Sequence, residues 1–259
     1  MSIAVVTGGA GDIGTAICKV LGKAGYTIAI VDLSADKCQA ASDTLDAEGV
    51  DAFPAPANIA DNASVALMAK AVLARGDVYA VINNAGVASA PDFAESSEED
   101  WLAAQAVNLN GPFFVAQQFL PSMCDARKGV VINISSGNGI AYAGAPAYSV
   151  AKAGLIHYTR MLAVEYGKYG IRALTVVPGS VRTQAWAHRI AANPDLFEDL
   201  RKWYPLGRVV EVDEVANVVA FAISDAASAM TGSCLMVDCG ILSGNTVLSD
   251  LITAADHRS

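Results

Sequence analysis

Short, almost unbroken apolar runs alternate along the chain with longer stretches whose apolar residues recur every three or four positions. The apolar runs fall at 3–6, 27–32, 78–83, 129–135 and 171–177, with a last short one near 234–237. Their continuity predicts strands buried on both faces, because a half-exposed strand would alternate apolar with polar. The intervening helical patterns cover "TAICKVLGKA", where Gly25 supplies a stop, then about 34–47, 62–75, 98–124, 147–168 and 211–224. Gly111-Pro112 should bend or break the fourth of these, and two prolines reduce "DAFPAP" (51–56) to a weak edge strand. Strand–helix alternation implies parallel pairing with helices on both sides, hence an α/β fold: a doubly wound parallel sheet of the Rossmann kind. Without a repeat, low-complexity tract or linker, residues 1–259 read as a single domain. Sheets of this kind bind ligands beyond the carboxyl ends of their strands.

Composition narrows the classes of partner. The 259 residues are 53% hydrophobic and 17% charged, a globular balance, with a net charge of −9. That charge argues against nucleic acid or an anionic membrane as the main partner. No signal peptide and no uninterrupted run of 18 apolar residues is read, so a cytoplasmic location and no membrane association are expected. Five scattered cysteines without a C-x-x-C read as reduced thiols, and the three distant histidines give no metal-ligand spacing, so no metal is expected.

The candidate chemistry begins at "TGGAGDIG" (7–14). Residues 9–14 match G-x-G-x-x-G between a strand and a helix, a context in which bare backbone N–H groups and a helix N-terminus cradle a diphosphate. Asp32 ends the next strand, where an acid accepts from the adenosine ribose hydroxyls and repels a 2′-phosphate; Leu33 follows, and no Arg or Lys lies at 9–12. NAD is therefore favoured over NADP. Asp12 is expected either to cap the helix and leave its own N–H to the cofactor, or to weaken diphosphate binding in a way that the helix dipole offsets.

Further on stand "NNAG" (83–86), "VNLNG" (107–111), "NISS" (133–136), "YSVAK" (148–152) and "PG" (178–179). In this order and at these distances the chain resembles, over essentially its whole length, the classical short-chain dehydrogenase/reductase family. The resemblance departs at Asp12, which replaces the middle glycine of T-G-x-x-x-G-x-G, with Gly11 one place early. It implies catalytic roles for Asn108, Ser136, Tyr148 and Lys152, with Ser135 as a competitor for Ser136 because the spacing to Tyr148 is 12 residues. Lys152, one helical turn beyond Tyr148, would favour the phenolate as base; Ser136 would hold the reacting oxygen; Asn108 would hold a water relaying protons from Lys152. Cofactor contacts would come from Gly8, Gly11, Asp12, Ile13, Gly14, Asp32, Leu33, Asn58, Ile59, Asn84, Ala85, Gly86, Tyr148, Lys152, Pro178, Gly179, Val181 and Thr183.

By the same resemblance, residues 183–206 close over the substrate, and the strand near 234–237 lies at a subunit interface of a homotetramer. Asn138, Tyr142 and Trp186 are the substrate-contact candidates, although aromatic residues on such a lid more often pack onto the body of the protein. The implied activity is hydride transfer between NAD(H) and a secondary alcohol or ketone, with a polyol, sugar or other small hydroxylated substrate favoured. A 3-oxoacyl or steroid-type carbonyl reductase and a catalytically silent NAD-binding sensor or scaffold remain open, and the chain is short for a sugar-nucleotide epimerase or dehydratase. The tail "HRS" is expected to be flexible.

Overall fold

Strands buried on both faces cannot be joined by tight hairpins; each needs a crossover that covers one face of the sheet. The computed structural model, which describes residues 2–88 and 92–253, is built from such crossovers; the tail 257–259 lies outside the described residues. In order come β1 (Ile3–Thr7), α1 (Asp12–Lys23), β2 (Thr27–Val31), α2 (Ala35–Ala47), β3 (Ala52–Pro54), α3 (Asn62–Leu73) and β4 (Val78–Asn83). Then follow α4 (Glu98–Gln105), α5 (Gly111–Ala126), β5 (Gly129–Ile134), α6 (Pro146–Tyr166) and β6 (Ile171–Pro178). The chain continues with α7 (Ala187–Ala192), α8 (Leu196–Arg201), α9 (Val212–Ile223), β7 (Cys234–Val237) and α10 (Thr246–Thr253). The strands form one parallel seven-stranded sheet in the order β3-β2-β1-β4-β5-β6-β7, so the winding reverses between β1 and β4.

The two cores explain the apolar runs. Val6, Ile30, Ile82, Ile132 and Val176 pack on one face against Ile17 and Leu21 of α1 and Val215 and Val219 of α9. Their neighbours Val5, Ala29, Val81, Val131 and Ala173 pack on the other against Val65 of α3, Phe119 of α5 and Leu162 of α6. Successive side chains point to opposite faces, and both faces are dry, so the runs show no alternation. Two local signals act as read: Gly25 follows α1 at φ +93°, and the proline-bearing β3 is a three-residue edge strand; in addition Ser34 accepts from the Lys37 N–H to cap α2.

Three features go beyond the sequence reading. The fourth helix is interrupted just before Gly111-Pro112, by a π-helical turn over Ala106–Asn110. Pro112 has no N–H for the carbonyl four residues back, and the wider turn absorbs that loss. Gly111 is needed there, since a Cβ would come within 2.8 Å of Ile59. The segment after β6 resolves into a 3₁₀ turn (Gln184–Trp186), α7 and α8. Finally α10, with no buried residue, was not anticipated.

A row of buried polar side chains crosses the sheet. Asn83 of β4 donates to Asn133 of β5 (2.8 Å), Asn133 donates to Thr159 of α6 (2.8 Å), and Thr175 of β6 donates to the same hydroxyl (2.8 Å). Thr159 donates in turn to the Leu155 carbonyl (2.9 Å). With its one donor and two lone pairs all used, Thr159 pins α6 to β5 and β6, and through Asn133 to β4. Thr159→Val keeps the shape but leaves the Asn133 amide without an acceptor, and should destabilise the fold by about 2 kcal/mol in urea denaturation. An unchanged midpoint would mean that the row carries no such load.

Candidate active site

The strand ends converge on the edge where β1 and β4 diverge. Gly8 follows β1 at φ +62°, and a Cβ there would sit 2.9 Å from the Ala85 backbone. Gly14 faces the Gly8 carbonyl so closely that no side chain fits. The Thr7 hydroxyl accepts from the N–H groups of Asn84 and Ala85 (3.0 and 3.1 Å), while the Asn84 amide donates to the carbonyls of Thr7 and Gly8 (3.0 and 3.2 Å). Asn84 and Ala85 thus brace the glycine turn against the end of β4. Among the described residues, the N–H groups of Asp12 and Ile13 at the start of α1 make no hydrogen bond. A close-packed turn with free N–H groups at a helix N-terminus fits a diphosphate.

Asp12 does not cap α1. Gly11 is the N-cap, and no side chain bonds the first turn. The Asp12 carboxylate instead accepts from the backbone N–H of Gln184 (2.5 Å), 172 residues away. Its own backbone N–H makes no hydrogen bond among the described residues.

Tyr148 and Lys152 lie one turn apart on α6, with the Lys152 Nζ 5.5 Å from the Tyr148 ring centre. Lys152 is only 3% exposed and donates to the Ile134 carbonyl (2.8 Å). Burial pushes its pKa down from the ordinary 10.5 to about 8. Burial pushes Tyr148 up, and the hydrogen bond with Ser136 pulls it partly back. Ser135 points the other way: it is buried, and its hydroxyl donates to the Lys152 carbonyl (2.8 Å). Of the two serines, Ser136 is therefore the one presented to Tyr148. Asn108, on the π-helical turn, is fully buried; its amide donates to the carbonyls of Val87 (2.8 Å) and Ala104 (2.9 Å). Gly86 separates it from Lys152, since a Cβ there would lie 2.8 Å from the Asn108 Oδ1 and 3.4 Å from the Lys152 Nζ. A small space is thereby kept open between the amide and the ammonium.

The remaining cofactor candidates divide into groups that face outward and groups that are spent. Asp32 is half-buried at the end of β2 and accepts from the N–H of the exposed Leu33 (2.8 Å). Asn58 uses its side-chain oxygen on the Ala60 N–H (3.1 Å), leaving one lone pair, and Ile59 is buried beneath Gly111. Pro178 ends β6, and Gly179 packs edge-on against Asp238 and Tyr204. Val181 sends its side chain into the core, so only its backbone can serve a ligand. Thr183 and Gln184 face Ala10, Gly11 and Asp12 across a cleft of about 600 Å³.

On the substrate side, Asn138 is committed to its own loop. Its amide donates to the Gly144 carbonyl (2.7 Å) and accepts from the Ala143 N–H (2.6 Å), so it shapes the loop after Ser136. Tyr142 is 64% exposed on that loop. Trp186 packs within the 183–206 segment, its ring 5.8 Å from that of Phe197 and beneath Arg189. Tyr204 is buried, and its hydroxyl accepts from the Ser180 N–H (3.0 Å). The sequence reading missed Leu242. Asp238 accepts from the N–H groups of Gly240 (2.9 Å) and Leu242 (3.0 Å), and this turn sets the Leu242 side chain over Gly137, next to Ser136. No spacing rule points to such a contact, which arises from a different strand end.

A family model described as enoyl-(acyl carrier protein) reductase matches residues 8–242. An uncharacterized oxidoreductase of Schizosaccharomyces pombe is 36% identical over 95% of this chain and 93% of its own. A D-threitol dehydrogenase of Mycolicibacterium smegmatis is 34% identical over 92% of each. Among solved structures, an oxidoreductase of the short-chain dehydrogenase/reductase family from Burkholderia thailandensis superposes with a TM-score of 0.93, at 38% identity over 98% of both chains. A gluconate 5-dehydrogenase of Burkholderia cenocepacia, in complex with NADP and tartrate, superposes with a TM-score of 0.89, at 28% identity over 94% of this chain and 96% of that one.

The burial of Lys152 has a measurable consequence. In the folded chain the ammonium releases its proton near pH 8, in the unfolded chain near 10.5. Between those values the unfolded state binds the extra proton, so stability rises with pH; below about pH 8 the cost of the buried charge is present in full. Relative to Lys152→Met, the wild type should gain about 3 kcal/mol of unfolding free energy as pH rises through that window. Parallel denaturation curves of the two proteins at each pH, without ligand, check this. A constant difference would mean that Lys152 is solvated.

Proposed function

The chain belongs to the short-chain dehydrogenase/reductase family and is an oxidoreductase, and on that premise we propose that it transfers a hydride between NAD(H) and a secondary alcohol or its ketone. The observation that carries the reading is the set formed by Ser136, Tyr148 and Lys152 beside the space that Gly86 keeps open to Asn108. When bound, the nicotinamide supplies the hydride acceptor. Everything else falls to the chain. Ser136 and Tyr148 hold the substrate oxygen, and Tyr148 takes the hydroxyl proton as the carbon–hydrogen bond gives up its electron pair. Keeping Lys152 charged is what makes a phenolate accessible in a site whose burial disfavours it. The proton then leaves by way of Lys152 and the space beside Asn108.

The family fold implies a nicotinamide cofactor, and the choice of NAD rests on Asp32. A neighbour of the same fold was solved with NADP, so the preference must come from this chain's own residue at the end of β2. The relative that acts on D-threitol and the neighbour that acts on gluconate favour a small hydroxylated substrate. Against that, the Asn138 amide is occupied, and the loop after Ser136 exposes Ile140 and Tyr142. Those apolar groups support a second reading, a 3-oxoacyl or steroid-type carbonyl reductase. Residues 183–206 serve as the substrate lid in either case.

Assembly as a homotetramer is part of the same proposal. Apolar Phe113, Met161 and Val164 stand exposed on α5 and α6, and Met236 on the edge strand β7. Two such faces can pair copies about two different axes. A cytoplasmic setting agrees with five free cysteines; among the described residues, no helix is long and apolar enough to cross a membrane.

Tyr148→Phe should lower turnover by about 10³-fold while NADH binding, followed by its fluorescence, persists. Turnover near wild type would remove Tyr148 as the base. Asp32→Ala should cut the preference for NAD over NADP by about tenfold or more, since it removes a charged acceptor; an unchanged ratio of kcat/KM values would refute the assignment. A screen of polyols, sugar acids, 3-oxoacyl thioesters and sterols decides between the two substrate readings.

A further inference from the structure

Within the dinucleotide reading above, on which this step rests, we propose that Asp12 is a positioning residue that latches the 183–206 lid to the glycine turn before any cofactor binds. The lid begins with the 3₁₀ turn Gln184–Trp186, whose N-cap residue, Thr183, supplies no side-chain bond. The acceptor comes instead from Asp12, whose carboxylate takes the Gln184 N–H (2.5 Å) across the cleft. It acts as a helix cap delivered from another element. Charge suits the place: a carboxylate on the first residue of α1 is favoured by the helix dipole.

The latch governs more than one turn. Arg182 pairs with Glu211 at the start of α9 (3.0 Å) and lies over the Phe197 ring (4.4 Å). Phe197 packs on Trp186, and Arg189 covers Trp186. Trp186, Phe197 and Arg189 therefore pack together, joined to the body by Arg182 and Asp12 near the start of the segment and by the buried Tyr204 near its end. The tie at Asp12 stands beside the unpaired N–H groups of Asp12 and Ile13, where a diphosphate would be received. A diphosphate arriving there brings negative charge alongside the carboxylate, so the cofactor and the latch oppose one another. Asp12 trades cofactor affinity for a lid that is already ordered.

The test separates this from the cofactor reading by first following the ligand-free chain. Hydrogen exchange at the Gln184 amide should speed up by about tenfold or more in Asp12→Gly and stay slow in Asp12→Asn, which keeps an acceptor oxygen. Trypsin should likewise cut sooner after Arg182 and Arg189 in Asp12→Gly. NADH titration should then show Asp12→Gly binding about two- to fivefold more tightly than wild type, with a raised KM for the alcohol. Unchanged exchange at Gln184 in Asp12→Gly would overturn the latch, whatever the cofactor does. Faster exchange with weaker NADH binding would overturn the opposition between latch and diphosphate. If neither wild type nor variant bound NADH, the cofactor reading would fail while the exchange data still decided the latch.

Discussion

Burial of the sheet on both faces is the constraint from which the rest follows. Because Val5 and Val6, or Val131 and Ile132, must each find a dry neighbour on opposite sides, every strand needs a helix returning over it. Such crossover returns make all the strands parallel, and the carboxyl ends of parallel strands lie on one edge. That edge collects the glycine turn after β1, Asp32 after β2, Asn84 after β4, Ser136 after β5, Gly179 after β6 and Asp238 after β7. Residues up to 230 positions apart meet there without any one of them being close to another in sequence.

Holding Tyr148 and Lys152 in place is a separate task, and polar groups inside the apolar body do it. Thr159 fastens α6 to β5 and β6 through bonds it cannot make elsewhere, and Lys152 adds its own bond to the Ile134 carbonyl. The same burial that fixes the pair disfavours the charged form of each, lowering Lys152 and raising Tyr148. The Asp12 carboxylate is a second charge committed by the tertiary structure, here to the backbone N–H of Gln184.

Much of this was legible in the sequence because the relevant signals are local. Continuous apolar runs gave away the strands; Gly25 and Ser34 marked helix ends; Tyr148 and Lys152 share a helical face by spacing alone. The interruption before Gly111 was foreseen in kind, since Pro112 lacks a donor, though the π-helical form of the break was not. The choice of Ser136 over Ser135 was open in the sequence, because side-by-side serines differ only in which way the strand end points them. The expected helix cap by Asp12 did not form, as a competing donor on a distant turn took the carboxylate.

The sequence by itself determined what depends on neighbours along the chain: the strands and helices, the fold class, the family and the identity of the groups that can do chemistry. Only the tertiary structure decided what depends on partners far along it. It committed the Asn138 amide to its own loop, buried the Val181 side chain, set Leu242 beside Ser136, and tied Asp12 to Gln184. The physical reason is that a hydrogen-bonding group or an apolar side chain states a need, whereas the contact that meets it is chosen by the geometry of the whole sheet edge.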